Sequence, residues 1–220
     1  MKLINITKAI KLGSVLNAIF WRLKNLGITL SPYYIIQEGE FYGQTKNWAG
    51  LCDLSHNKFL GKDEIGEVAL LGGEADVKHL LHRLDLGHLC FGLFIDDKLV
   101  AYMWCDLKEF NHQPYRHFLE KNEAYLYDAR VAPSYRGKNL APFFRAQFYS
   151  ALKQYSKDTF FSYSDFANTP AIRFKKKLGA RFLKLCLYMN LWGKYSNNWV
   201  LRDYFPSENN KPISSGPEKP

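Results

Sequence analysis

Basic residues occupy a short turn between an apolar strand and an apolar helix. Residues 123–131 alternate apolar and polar side chains as a β-strand does, and Arg136, Lys138 and Asn139 then precede an apolar run that begins at Leu140. The first N–H groups of a helix lack partners within the helix, and the helix dipole adds partial positive charge at the same end. The segment is therefore suited to bind a phosphate group, with two basic side chains beside it.

A second segment downstream has the composition of a short capped helix. It reads Asn168-Thr-Pro-Ala-Ile-Arg-Phe-Lys-Lys-Lys-Leu-Gly-Ala180, in which Thr169 can cap the helix, Pro170 suits its first turn and Gly179 can end it. Residues 158–165, between the two segments, alternate as a strand. The order along the chain is therefore strand, basic turn, helix, strand, helix.

In this order the two segments resemble motifs A and B of the GNAT acyltransferases. Motif A, Q/R-x-x-G-x-G/A, binds the pyrophosphate of acetyl-coenzyme A in that family, and Arg136, Asn139 and Ala141 stand at its defined positions. Asn139 replaces a glycine, and Asn is the residue after Gly that best tolerates a left-handed backbone. Motif B, N-x-x-A-x-x-L-Y-E-K-L-G-F, packs along the pantetheine arm. It is matched in order by Asn168, Ala171, Phe174, Lys177, Leu178 and Gly179.

The resemblance implies an acetyl-coenzyme A site, and the spacing of the Cys and His residues predicts no metal site. In the family the strand before motif A splays from the next strand, and its exposed backbone pairs with pantetheine and can polarise the thioester carbonyl. Carried onto this chain, the cofactor-binding residues are Ala129, Arg130, Val131, Arg136, Gly137, Lys138, Asn139, Leu140, Ala141, Asn168, Ala171, Phe174 and Lys175.

Candidate catalytic residues lie on the strand at residues 123–131. Acyl transfer to an amine needs a base for the amine, an oxyanion donor and a proton for the leaving thiolate. Family bases often lie on this strand, and alternation puts Glu123, Tyr125 and Tyr127 on one face and Asp128 on the other. Glu123 is the favoured carboxylate base. Asp128 either takes part in the reaction, binds the acceptor or forms a structural ion pair, and both tyrosines also suit a core.

The proton donor for the thiolate is left open by the sequence. The tyrosine that often acts as the general acid in the family falls at Lys175. A lysine could donate a proton to the thiolate only if burial lowered its pKa substantially, and otherwise it would contact phosphate or solvent. Tyr149, Tyr163, Tyr188 or water are the alternatives.

The remaining elements predict an α/β (α+β) GNAT fold, with a mixed, mostly antiparallel sheet of six to seven strands flanked by helices. Strands are expected at 33–38, 181–192 and 199–205, a helix at 74–84 ending at Gly87, and a hairpin at 88–106. Residues 39–61 are expected to be loop-rich. The predicted division is an amphipathic N-terminal helix (1–30), a GNAT domain (31–205) and a disordered tail (206–220).

The N-terminal helix is predicted from the apolar positions between Ile6 and Leu26, which recur with a helical period. Three interpretations remain open for it. It packs on the domain or forms a homodimer contact, it lies on a membrane surface as a basic amphipathic helix, or it is a signal peptide. The last is disfavoured because the apolar core is short and no small-residue cleavage site follows.

Whole-chain properties restrict the function class. The chain has 220 residues, 47% hydrophobic, with a net charge of +9. Coenzyme A phosphates account for a basic entrance, and no nucleic-acid-binding motif is present. No apolar run reaches the ~18 residues of a transmembrane helix. Cys52, Cys90, Cys105 and Cys186 lack metal spacing, and three of them suit buried thiols in a reducing cytoplasm. The histidines form no ligand-spaced cluster beyond the His79/His82 pair, which is more typical of a helix surface.

These observations predict a cytoplasmic N-acetyltransferase. It would move an acetyl or other acyl group from acyl-coenzyme A to an amine of a small molecule, sugar or peptide by direct attack on the thioester. Two alternatives remain open: a related enzyme with long-chain acyl or acyl-carrier-protein donors, and a non-catalytic binding protein that retains the fold. The sequence does not identify the acceptor.

Overall fold

A computed structural model describes residues 19–39, 55–73, 77–112 and 115–205 of the chain. Residues 19–25 are helical and are labelled α1. The strands are β1 (Ile28–Glu38), β2 (Ser55–Leu60), β3 (Leu89–Ile95), β4 (Lys98–Asp106), β5 (Glu109–His112), β6 (Tyr115–Phe118), β7 (Glu123–Val131), β8 (Thr159–Asp165), β9 (Arg181–Leu191) and β10 (Tyr195–Asp203). The other α-helices are α2 (Ile65–Gly72), α3 (Lys78–Asp85), α4 (Leu140–Leu152) and α5 (Thr169–Lys177).

The main sheet has eight strands in the order β10-β9-β1-β8-β7-β4-β3-β2, and β5 and β6 form a separate hairpin. Only β7 and β8 pair in parallel, and every other pair in the main sheet is antiparallel. The predicted fold class is therefore confirmed. The sheet exceeds the predicted six to seven strands because β2 is an additional edge strand.

The two faces of the sheet carry different layers. Alternating residues of β3 and β4 point to opposite faces, and α4 covers one of them with an aromatic cluster in which Phe91 stacks on Phe144 and Phe148. The opposite face is covered by α2 and α3, whose Val68 and Leu80 pack against the strands. Complete burial of each such side chain contributes about 1.5–3 kcal/mol.

The N-terminal strand β1 is central rather than peripheral. It pairs with β8 on one side and with β9 on the other, so that Tyr33 faces both Asp165 and Cys186. It begins at Ile28 rather than at the predicted Tyr33, because residues 28–32 extend the pairing with β9 although they do not alternate. Its last residue, Glu38, is buried beneath the two helices α4 and α5.

Other boundaries differ from the sequence prediction for local reasons. Residues 55–60 form β2 although a loop was expected, because a polar edge strand gives a weak pattern. The helix expected at 74–84 is Lys78–Asp85 in the described residues. Asn168, not Thr169, caps α5, since its side chain accepts a hydrogen bond from Ala171 N. Of the helix expected from Ile6 to Leu26, residues 19–25 are helical, and the part before residue 19 lies outside the described residues.

An irregularity in β7 opens the sheet. On β4, Tyr102 pairs with Arg130 of β7 and Trp104 pairs with Tyr127, so β7 has one more residue than β4 between these two pairs. This β-bulge contains Asp128, whose φ is 44°. Strands β7 and β8 pair only from Glu123 to Tyr125. Beyond this point the two parallel strands separate toward their carboxyl ends and leave a cleft in the sheet.

Candidate active site

The cleft between β7 and β8 contains a cavity of about 320 Å³. It is lined from β7, β8, α4 and α5, so elements of both sequence motifs contribute to its wall. The lining residues are Leu126, Tyr127, Asp128, Ala129, Arg130, Arg145, Tyr163, Ser164, Asp165, Asn168, Ala171, Phe174 and Lys175. Six of the residues predicted to bind the cofactor and two of the predicted catalytic residues are thus brought together.

The basic turn follows β7 and leads into α4. Gly137 has φ 78° and Asn139 has φ 58° and ψ 19°, so the left-handed backbone that the sequence allows at Asn139 is present. Arg136 is exposed and its Nε donates to the Val131 carbonyl oxygen at 3.0 Å. Lys138 lies with its Nζ 5.4 Å from the centre of the Tyr135 ring. The turn follows the strand that lines the cleft, but Val131 and residues 136–141, although predicted to bind the cofactor, do not line the cavity itself.

Asn139 also links the two motifs. It is the N-cap residue of α4, but its side chain makes no capping hydrogen bond to the helix. Instead its Oδ1 accepts from Lys177 Nζ of α5 at 2.7 Å. The first N–H groups of α4, at Leu140 and Ala141, consequently receive no side-chain cap from Asn139 and have no acceptor within the helix. An anion of suitable shape can bind there.

Lys175 replaces the family's tyrosine at the floor of the cavity and is buried. Its Nζ donates to Ser162 Oγ, to Ser164 Oγ and to the Tyr163 carbonyl oxygen, each at 2.8 Å. Burial lowers the pKa of Lys175 to about 8, while Glu38 opposes this shift. Burial thus shifts the pKa of Lys175 in the direction that proton donation would require, although all three N–H groups already have acceptors.

A buried ion cluster supports this floor. Arg145 of α4 forms two hydrogen bonds with Glu38, at 2.9 and 3.0 Å, and Lys175 Nζ lies 3.6 Å from the same carboxylate. Burial alone would raise the pKa of Glu38, but Arg145 and Lys175 outweigh it and hold the pKa at about 2. Tyr149 donates its O–H to Glu38. One carboxylate thus faces two cations, which leaves net positive charge beside the cavity.

Two of the predicted catalytic residues lie outside the cavity wall. Glu123 begins β7 at its closed end, where its carboxylate accepts from Glu120 N at 2.9 Å and lies 3.7 Å from His117 Nε2. Tyr125 is buried and stacks on Phe110 with ring centres 4.2 Å apart. Among the three tyrosines named as alternative proton donors, only Tyr163 lines the cavity.

The other two candidates, Tyr127 and Asp128, meet partners that the sequence analysis did not identify. Asp128 forms an ion pair with Arg83 of α3 at 2.6 Å, which matches the structural alternative foreseen for it. The Tyr127 hydroxyl contacts His88 Nδ1. His88 Nε2 in turn lies 3.3 Å from the Asp106 carboxylate.

A sequence signal for the pair of His88 and Asp106 existed. The β3–β4 hairpin turns at Asp96-Asp97, and Leu89 faces Cys105 in its register. The residues just beyond this pair are His88 and Asp106, which therefore lie side by side. Counting back from the turn alone would place Cys105 opposite His88, and the register shift between Leu93 and Phe94 brings Asp106 there instead, so the sequence indicated only that the two ends of the hairpin lie close together.

A larger cavity of about 540 Å³ adjoins the first. It shares Asp165 and Asn168 with the cleft, and α1 contributes Phe20, Trp21 and Lys24 to its wall. Trp21 is 66% exposed. Apolar and aromatic groups therefore continue from the mouth of the cleft toward the N-terminal helix.

No group of three or more His, Cys, Asp or Glu side chains is placed to hold a metal ion in residues 19–39, 55–73, 77–112 and 115–205. Within the same part of the chain, no helix combines the length and apolar character needed to span a membrane. Cys90, Cys105 and Cys186 are buried free thiols, as predicted, and Cys52 lies outside the described residues.

Comparison with known families gives one sequence match and several matches of fold. The family model described as "Acetyltransferase (GNAT) family" matches residues 48–180. No curated protein sequence matches the chain. Among solved structures, a functionally unknown conserved protein from Staphylococcus epidermidis aligns with a TM-score of 0.56 at 6% identity, over 79% of this chain and 66% of that chain.

Two further solved structures are assigned to the GNAT family. One, from Colwellia psychrerythraea, has a TM-score of 0.54 at 16% identity, over 76% of this chain and 59% of that chain. The other, from Novosphingobium aromaticivorans, has a TM-score of 0.50 at 17% identity, over 75% and 66%. The chain thus spans about two thirds or less of the length of each of the three structures, and at these identities the likeness concerns the fold.

Proposed function

Because the chain belongs to the GNAT acetyltransferase family, we propose that it transfers an acetyl group from acetyl-coenzyme A to an amine, which attacks the thioester directly. The observation that carries the proposal is the cleft between β7 and β8, whose wall is built by both motif segments. The three described cysteines, which are buried free thiols, support a reducing cytoplasm as the place of the reaction.

The residues that would hold the donor follow the cleft. The turn at Arg136, Gly137 and Lys138, with the first N–H groups of α4, would bind the pyrophosphate. Because pairing of β7 with β8 stops at Tyr125, the backbone from Ala129 to Val131 is available to hydrogen-bond the pantetheine arm. Backbone N–H groups at this edge would also stabilise the oxyanion that forms when the amine attacks.

The buried cations would assist the leaving group. The cluster of Glu38, Arg145 and Lys175 carries one negative and two positive charges next to the cavity. Because the effective dielectric constant is lower away from water, buried positive charge stabilises a thiolate more strongly than the same charge in water would. All three N–H groups of Lys175 already have acceptors, so Lys175 would contribute its charge rather than a proton. The positive charge of Lys175 would thus stand in for the usual tyrosine.

A second donor class is favoured by the cavity beside α1. Its volume of about 540 Å³, with the rings of Phe20 and Trp21 in a partly polar wall, would accommodate a long acyl chain. Trp21 is its most exposed large side chain. Donors with long acyl groups, carried by coenzyme A or an acyl carrier protein, are therefore the alternative to acetyl-coenzyme A.

Calorimetric titration and thermal unfolding with acetyl-coenzyme A, free coenzyme A and a long-chain acyl form test both donor classes. In thermal unfolding, a ligand that binds only the native protein raises its melting temperature. We expect replacement of Arg136 and Lys138 by Ala to weaken acetyl-coenzyme A binding roughly tenfold or more, because each loses a charge-assisted contact with phosphate. The matched control is the double variant Lys121→Ala/Arg202→Ala, which removes two exposed positive charges away from the turn.

The outcomes separate the alternatives. Equal affinity of the Arg136/Lys138 variant and its control would contradict the assignment of the turn to phosphate. If Trp21→Ala weakens only the long-chain form and the wild type prefers that form, the second donor class is supported. Binding without turnover of any amine in a broad panel would instead support a binding protein that retains the fold.

A further inference from the structure

Tyr127, which lines the cavity, contacts His88, and His88 in turn lies close to the Asp106 carboxylate. Tyr127 lines the cavity from β7, and its hydroxyl contacts Nδ1 of His88 at the start of β3. The opposite ring nitrogen, Nε2, lies 3.3 Å from Oδ2 of Asp106 at the end of β4. Three adjacent strands thus contribute one group each.

The second carboxylate oxygen fixes the far end of this chain. Asp106 Oδ1 accepts hydrogen bonds from the backbone N–H groups of Lys108 and Glu109, at 2.8 and 3.2 Å. The Asp106 side chain is only 6% exposed, so its orientation is set by the protein rather than by water. The carboxylate therefore presents Oδ2 to the imidazole in one fixed position.

This geometry selects one tautomer of His88. A carboxylate can only accept, so we assign the hydrogen of the neutral ring to Nε2, which leaves Nδ1 as an acceptor for the Tyr127 hydroxyl. Burial lowers the pKa of His88 below its usual 6.5, against the opposing effect of Asp106. Burial also raises the pKa of the Tyr127 phenol. At neutral pH the chain is therefore a neutral phenol that donates to a neutral imidazole.

We infer that Tyr127, His88 and Asp106 act as a proton relay for the acceptor amine, with Tyr127 as the catalytic residue and the other two as positioning residues. This inference rests on the proposed acetyl transfer. As the C–N bond forms, the nitrogen gives one proton to the Tyr127 oxygen while the phenol proton moves to His88 Nδ1. Asp106 stabilises the resulting imidazolium. When the C–S bond breaks, the relay returns one proton to the thiolate, so amide and thiol are the only products.

The charged groups around the imidazole set the pH range of the relay. Asp106 at the end of β4 and Glu109 at the start of β5 face it as anions, and Arg83 of α3 and Lys108 between these strands face it as cations. Burial and the two cations favour the neutral ring, which is the form that can accept a proton. The relay is therefore active above the His88 pKa, and the rate should fall as the pH drops through it.

The test is the pH profile of kcat/KM for amine acetylation and for the slow hydrolysis of acetyl-coenzyme A, in which water replaces the amine. We expect Tyr127→Phe and His88→Gln each to lower kcat/KM about 10²–10⁴-fold, with unchanged calorimetric affinity for acetyl-coenzyme A. His88→Gln should also abolish the fall in rate at low pH in the hydrolysis profile, which no ionisation of an amine substrate affects. Asp106→Asn should lower the rate as well, because its amide can donate to Nε2 and impose the wrong tautomer.

Controls and the double variant distinguish a relay from a structural role. His82→Gln and Tyr155→Phe change exposed residues of the same types outside the cavity and should leave rate and profile unchanged. Tyr127→Phe/His88→Gln should be no slower than the slower single variant, because groups that act as a unit are not additive. The relay would be overturned if the rate losses of the two single variants multiplied in the double variant. It would also be overturned if hydrolysis by His88→Gln still slowed at low pH as it does in the wild type.

The failure of the relay and that of the proposed function give different results. If the wild type acetylates an amine and the three variants keep its rate, only the relay is wrong. If the wild type binds acetyl-coenzyme A but transfers the acetyl group neither to amines nor to water, both are wrong. Nitrogen NMR of His88 adds a result independent of turnover, since a proton on Nδ1 in the wild type would also overturn the relay.

Discussion

At the scale of single residues, the buried charges around Glu38 are the feature with the largest energetic consequence. The carboxylate is fully buried and accepts from Arg145 and Tyr149, with Lys175 nearby. Such clusters are stabilising only while every charge keeps its partner, because each ion has lost its hydration. Glu38 therefore holds two buried cations in place at once, and its removal would leave both without a counter-ion.

Replacement of Glu38 by Gln should destabilise the protein by about 3–5 kcal/mol at pH 7. The folded-state pKa of about 2 lies below the ordinary value of 4.5, so the carboxylate stabilises the fold fully above pH 4.5 and loses this effect as the pH falls toward 2. Urea unfolding of both proteins from pH 7 to pH 2.5 checks this, and the difference in unfolding free energy should shrink below pH 4.5. A difference independent of pH would show that packing, not charge, is lost.

The ion pair between Glu38 and Arg145 is a feature that the sequence could not predict. Tyr127, Lys175 and the motif residues were identified because each lies in a recognisable local pattern. Glu38 and Arg145 are 107 positions apart and belong to no motif, so nothing in the sequence relates them before the strand order is known. Likewise, the expected role of Asp128 depended on Arg83, which lies on another element.

At the scale of elements, the turn into α4 depends on its backbone conformation more than on its charges. Asn139 has a left-handed backbone, and the same residue connects α4 to Lys177 of α5. The preference of Asn for this conformation is a local property, which is why it could be predicted from the sequence. The N-cap of α5 was misassigned to Thr169 because two adjacent residues, Asn168 and Thr169, can both cap a helix.

Two substitutions at Asn139 should separate the effect of its left-handed backbone from that of its hydrogen bond with Lys177. Asn139→Gly keeps access to the left-handed backbone and loses only the exposed bond to Lys177, so we expect a cost of about 1 kcal/mol or less. Asn139→Val forces a β-branched side chain into the same conformation, which should cost at least about 1–2 kcal/mol and weaken acetyl-coenzyme A binding. Urea unfolding and calorimetry provide the two measurements.

The control for Asn139→Val is Asn57→Val on the exposed edge strand β2, where a β-branched residue suits the extended backbone. It should leave both stability and binding close to those of the wild type. If Asn139→Val bound acetyl-coenzyme A as tightly as the wild type, the turn would not require its left-handed residue for phosphate binding.

At the scale of the whole molecule, the described fold begins before the region that the family model matches. That match starts at residue 48, whereas β1 (Ile28–Glu38) lies between β8 and β9 in the main sheet. The hairpin, the two motif helices and the fold class could be predicted because each has a local pattern. The central place of β1 could not, since its partners lie more than a hundred residues away in the sequence.

A chain that starts at residue 40 should therefore fail to fold, although it retains the complete family match. It would lose the buried side chains of Tyr33, Ile35 and Ile36, each contributing about 1.5–3 kcal/mol, a total comparable with the ~5–15 kcal/mol stability of a typical domain. It would also leave β8 and β9 without their shared partner and the buried cations without Glu38. A chain that starts at Gly27 keeps all of β1 and the bond from Trp192 N to the Gly27 carbonyl oxygen, and should fold. Circular dichroism and cooperative urea unfolding compare the two, and a cooperative transition in the shorter chain would mean that the sheet closes without its N-terminal strand.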